Sequence, residues 1–190
     1  MDFKIILGII LAGILSNNYA LIECLGTGAV LENERSVKRS LALGAGTTVV
    51  MLLTTLITWP INNFVLAKYE LEYLQTIVFV LVILVIVEAM HLIGRKLLDN
   101  YCHAHFVKFA INGAVLGLCI HNTHIDTLGK ALVTAFAVGL GFTLTMTLYS
   151  KIKYVSVDED AVPASFRGLP ISLLTAGMIV LALLALNFNI

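Results

Sequence analysis

The stretch LALGAGTTVVM, residues 41–51, decides how this chain is read. It is largely apolar and carries a Gly-x-Gly pair, Gly44 and Gly46. The same pair returns as Gly139 and Gly141, 95 residues further along. At that offset Met51 also meets Met146, Asn17 meets Asn112, Leu21 meets Leu116 and Cys24 meets Cys119. Residues about 1–95 therefore resemble residues about 96–190. The glycine pairs do not read as nucleotide loops, because no strand precedes them and no G-x-G-x-x-G pattern surrounds them. Small residues within apolar helices serve close helix packing instead.

Composition names the solvent. Of 190 residues, 59% are hydrophobic and 13% charged, with a mean hydropathy of +0.95. Soluble domains carry roughly 25% charge, so this chain cannot cover itself with an aqueous surface and belongs in a lipid bilayer. The formal net charge is zero, which gives nucleic acid no electrostatic foothold. Three cysteines do not make a disulfide framework. With no linker or soluble segment, residues 1–190 read as a single transmembrane domain.

Six runs are long and apolar enough to span, near residues 3–22, 40–58, 73–94, 104–121, 130–149 and 169–188. The first lacks a basic leader and an A-x-A cleavage site, and reads as a retained helix rather than a signal peptide. Nine of the twelve Lys and Arg residues fall in the first, third and fifth connections. Basic connections face the cytoplasm, so both termini are expected outside. Three helices per half is an odd number, which sets the halves upside down relative to each other. The expected fold is all-α and integral to the membrane, with six transmembrane helices in two inverted three-helix repeats. In both halves the first helix is interrupted by polar and small residues, at "NNYALIEC" and "INGAVLGLC". Interrupted helices at the interface of inverted repeats are where transport proteins place their sites. Asn17, Asn18 and Asn112 either cap such breaks or cross-link helices through side-chain hydrogen bonds.

Other candidates are fewer. Glu88 and His91 share one face of the third segment, one turn apart, and intramembrane ionisable groups are ion-coupling candidates. Arg95 and Lys96 follow closely, so an interfacial position is the competing reading. Cys102-His103-x-His105 and Cys119-x-His121-x-x-His124 look like metal sites but flank the fourth segment about 25 Å apart at the helical rise. Neither has paired C-x-x-C spacing, and interfacial histidines are the simpler account. No nucleophile–base–acid set is recognisable.

The closing stretch VPASFRGLPISLLTAG (162–177) resembles that of the RnfA/NqrE family, where V-P-x-x-[FL]-R-G leads into I-x-L-I-T-A-G. Val162, Pro163, Phe166, Arg167, Gly168, Ile171, Thr175, Ala176 and Gly177 fit it. The opening N-N-F-V-L-x-x-x-L-G is matched through Asn17, Asn18, Leu21, Leu25 and Gly26. The family's N-C-A-V-L-G is similar to Asn112, Ala114, Val115, Leu116 and Gly117.

The resemblance implies a multi-pass subunit of an ion-translocating electron-transport complex in a bacterial or archaeal cell membrane, not catalytic alone. It implies a homologous RnfE/NqrD-like partner of opposite topology and other Rnf/Nqr-type subunits, which carry the nucleotide and flavin sites. It further implies a [2Fe–2S] cluster shared with that partner, two cysteines from each, with coupling to Na⁺ or H⁺ transport. The family's ligand cysteines fall at positions that are Gly28 and Gly113 here. Cys24 and Cys119 are the expected ligands in their place, with Asn17, Asn18 and Asn112 nearby. The alternatives are a self-sufficient secondary transporter and a cofactor-free structural subunit.

The charge bias predicts that cysteines introduced at Ser36 and Ser156, on a cysteine-free background, react with impermeant maleimide only from the cytoplasmic side. Labelling only from outside would reverse the orientation.

Overall fold

A computed structural model of the chain describes residues 37–94, 111–156 and 163–187, with Gly8, Gly13, Leu25, Gly26 and Gly28 besides. Among them all regular structure is helical. Helix α1 spans Val37–Ile61, α2 Gln75–Gly94, α3 Gly113–Asn122, α4 Leu128–Ser156 and α5 Leu169–Asn187. Three described stretches are long and apolar enough to cross a membrane: Val37–Leu66, Glu72–Leu92 and Leu128–Lys153. They coincide with the second, third and fifth predicted spans. α5 falls on the sixth, and the described part of the fourth is helical only from Gly113.

Each boundary has a local cause. Near the end of α1, Pro60 has no N–H to give the carbonyl four residues back. The helix then widens into a π turn at Asn62–Leu66, closed by the Ala67 N–H on the Asn62 carbonyl at 2.9 Å. Glu70 adopts a left-handed conformation, φ 55°, and reverses the chain towards α2. Before α5, Pro163 opens a short 3₁₀ turn over Ala164–Phe166, and Gly168 is left-handed at φ 81°. The Gly168 carbonyl then accepts from the Ser172 N–H and hydroxyl, which starts the helix.

The centre is the pairing of α1 with α4. α1 buries Ser40, Leu43, Gly44, Thr47, Val50, Met51, Thr54 and Thr58, a stripe at helical spacing made largely of small and hydroxyl side chains. The buried hydroxyls of Thr47, Thr54 and Thr58 each donate to the carbonyl four residues back, at 2.7–2.8 Å. A hydroxyl so satisfied enters an apolar interface without an orphaned donor.

Where the two helices cross, a Cβ on Gly44 would stand 2.8 Å from the Thr143 side chain and 2.9 Å from its Cα. A Cβ on Gly139 would stand 2.5 Å from Thr48 Cγ2. The hydroxyls of Thr48 and Thr143 meet at 3.2 Å. As the chain advances from Gly44 to Thr48 its partner retreats from Thr143 to Gly139, so the helices run antiparallel. The contact is also reciprocal: under the 95-residue offset, Gly44 maps onto Gly139 and Thr48 onto Thr143. Gly13, from the first segment, packs against α4 as well, since its Cβ would lie 2.7 Å from that of Ala137.

Around this crossing Val50, Met51, Phe79, Val87, Leu118, Cys119, Phe142, Met146 and Tyr149 are almost fully enclosed. Polar ties close one end. Asn122 donates to the Thr55 hydroxyl at 3.2 Å and to the Ala131 carbonyl at 3.4 Å, and Trp59 Nε1 donates to the Ile125 carbonyl at 2.8 Å. α5 meets α4 where the Tyr149 hydroxyl reaches the Ser172 carbonyl. The outward faces are apolar: Ile77, Leu81 and Val85 on α2, and Leu173, Leu174 and Met178 on α5, are at least half exposed. Only a hydrocarbon surround, or a partner helix, suits such faces.

The crossing predicts strain from one added methyl. Gly139→Ala should cost about 1–3 kcal/mol through overpacking, lowering the unfolding temperature in detergent. Thr48→Ser, which removes Cγ2, should recover part of that loss in a double-mutant cycle. Full tolerance of Gly139→Ala would show that the helices do not touch as closely as described.

Candidate functional site

The interruption of the fourth segment supplies the site. Asn112 is extended, with φ −129° and ψ 162°, and its Oδ1 accepts from the Val115 N–H at 3.1 Å. This is an N-cap, which satisfies one donor of the first helical turn and fixes where the helix begins. Capping is a role that the Asn112 side chain takes here.

Immediately inside the cap, the Gly113 Cα lies against the backbone of Leu25. A Cβ there would overlap the Leu25 carbonyl oxygen and stand 3.3 Å from its carbon. The start of α3 thus touches the L-G dipeptide of the first half, Leu25-Gly26. The structure brings Gly113 and Leu25, one from each half of the chain, together at this point.

α3 has two distinct faces. Ala114, Val115, Leu118, Cys119 and Asn122 are buried against the other helices. Gly113, Leu116, Gly117, Ile120, His121 and His124 line an open cleft of about 520 Å³ together with Leu25. The lining follows the helical repeat, so the cleft runs along the whole helix. It is apolar at the Leu25–Gly113 end and carries two exposed imidazoles at the other. Among the described residues, the two imidazoles are the only titratable side chains that line it.

The expected site residues fall in different places. Cys119 is 1% exposed, and its thiol shares a hydrogen bond with Thr58 of α1. It faces the core, away from the cleft. Glu88 is exposed on α2 and His91 half-buried; neither lines the cleft. His121 and His124 do, but Cys119, the third member of that spacing, is on the opposite face. Asn17, Asn18, Cys24 and the Cys102-His103-x-His105 run lie outside the described residues. Of the two family ligand positions, a Cβ at Gly28 would meet nothing within 4 Å, whereas Gly113 is closed by backbone. Sequence reasoning did not single out Thr48, Thr143, Thr58 or Asn122. Threonine repeated on one helical face was the available signal, but it is common in membrane helices.

Apolar outer faces, hydroxyls turned back on their own helices and glycine–threonine contacts define a multi-pass membrane protein. The chain belongs to the Rnf-Nqr subunit family of membrane proteins, whose model it matches over residues 6–190. Curated relatives named as the A-type member of the ion-translocating oxidoreductase complex align with nearly its full span. That of Syntrophotalea carbinolica is 37% identical over 183 residues, covering 94% of both chains. Those of Cronobacter sakazakii and Serratia proteamaculans are 32% and 34% identical, covering 92% and 89% of both chains.

Proposed function

We propose that this chain is the A-type membrane subunit of an Rnf-type ion-translocating oxidoreductase complex, seated in a cell membrane beside a homologous subunit of opposite topology. The observation that carries this reading is the near end-to-end similarity to proteins so named, at 32–37% identity. On this reading nicotinamide, ferredoxin and flavin chemistry belongs to other subunits.

The architecture proposed with it is six spans in two inverted halves, with both termini outside. Its support is the reciprocal contact of Gly44 with Thr143 and of Gly139 with Thr48. Two antiparallel helices related by a local twofold produce such a pairing, because each contact must occur twice. When those helices cross a bilayer, the twofold lies in its plane, as in inverted repeats. The same contact weighs against the rival of a self-sufficient transporter. Halves interlocked backbone to side chain at two reciprocal points resist rocking past one another. The chain acts as a fixed body to which other subunits couple.

Ion coupling to Na⁺ or H⁺ is assigned to the α2 carboxylate. Glu88 is exposed one turn before His91 on a largely apolar helix, where a charge is costly unless water, an ion or a partner meets it. Cys119 lies in the core, a placement that does not suit a ligand shared with another protein.

Affinity purification of the tagged chain from its native membrane should recover flavin-bearing partners together with a homologous membrane subunit. Recovery of the chain alone, with solute uptake by it in liposomes, would favour the transporter. In the recovered complex, Glu88→Gln should reduce ion transport severalfold more than electron transfer. Unchanged ion transport would return Glu88 to an interfacial role.

A further inference from the structure

We propose that the second half of this chain gives no thiolate to a shared [2Fe–2S] cluster: Gly113 instead locks the two halves together through their backbones, and Cys119 is a packing residue of the core. This rests on the chain being a subunit of such a complex, and it concerns what the chain contributes there.

The lock is steric. At Gly113 the overlapping group is a main-chain carbonyl, that of Leu25, with its carbon at 3.3 Å and its Cα at 3.5 Å from an ideal Cβ. A side-chain terminus rotates out of the way; a carbonyl moves only if the chain moves. Any residue with a Cβ at 113, cysteine included, must push Leu25-Gly26 away from α3. At the family's other ligand position, Gly28, a Cβ would meet nothing within 4 Å among the described residues.

Cys119 does not replace the missing ligand. It follows Gly113 by six residues, which at 3.6 residues per turn places it roughly 120° around the helix from the cleft face. Its neighbours on that side, Ala114, Val115 and Leu118, are fully enclosed, and Thr58 meets its sulfur. To present Cys119 to a partner, α3 would have to roll by about a third of a turn. That roll would carry Val115 and Leu118 out of the core and break the Asn122 bonds to Thr55 and Ala131. A neutral thiol needs none of this, since free cysteine packs as a small apolar residue. A ligating thiolate needs metal beside it.

The test uses the whole complex, purified anaerobically through a tag on this chain. Iron per complex and the EPR spectrum after reduction are compared between wild type, Cys119→Ser and Cys119→Ala. The expected ratio of the membrane [2Fe–2S] signal to wild type is about one, and two variants guard against one failing to assemble. A wild-type complex with no such signal supports the proposal equally. Loss of the signal, with its two irons, from complexes that still assemble would overturn it.

The lock is tested on the chain itself, by its yield and thermal stability in membranes. Gly113→Ala should lower both severalfold more than Gly28→Ala, and equal tolerance would overturn the lock. Failure to co-purify any partner would sink the reading of the chain as part of a complex, while this glycine comparison still decides the packing.

Discussion

Thr48 and Thr143 touch because Gly44 and Gly139 leave them room, and the rest of the described structure is arranged around that contact. Inside a bilayer the hydrophobic effect does not drive helices together, since lipid tails are as apolar as the side chains. Association depends on close packing and on interhelical hydrogen bonds worth on average about 0.6 kcal/mol. A glycine opposite a threonine serves both needs. The missing side chain brings the backbones close, and one of the two hydroxyls, each within reach of its own helix's carbonyl, can turn its proton across the gap to the other. Having the arrangement twice, in opposite order, doubles the contact and fixes the antiparallel sense.

From this crossing the rest follows outward. α1 and α4 hold Met51, Phe142 and Met146 at the centre; α2 and α3 pack Phe79, Val87, Leu118 and Cys119 onto them. The polar groups carried inside are those that can be satisfied locally or across helices, as the Asn122 and Trp59 bonds illustrate. On α3 the cleft face and the packing face are sharply divided. Its start is set by the Asn112 cap, and its position by the Leu25–Gly113 contact.

Much of this was legible in the sequence. The second, third, fifth and sixth spans were readable because long apolar runs end at charged or turn-forming residues, such as Val162-Pro163 and Arg167-Gly168 before α5. The 95-residue offset pointed to the glycine pairs, and the first glycine of each, Gly44 and Gly139, stands at the crossing. Spacing gave less about the site. It placed Cys119 beside the interrupted segment but could not say which way that helix faces, which depends on Thr58, Thr55 and Ala131 from two other helices. The close approach of Leu25 to Gly113 joins residues 88 positions apart, and nothing in either segment alone announces it.

The central claim is that the two halves meet through equivalent threonines, and a disulfide tests it most directly. On a cysteine-free background, Thr48→Cys and Thr143→Cys would be combined with a protease site placed in the connection between α2 and α3. The threonine oxygens lie 3.2 Å apart, so oxidation should form an intramolecular disulfide that holds the cleaved halves together on a non-reducing gel. Halves that separate despite complete oxidation, while a control pair on the outward faces behaves no differently, would contradict the account.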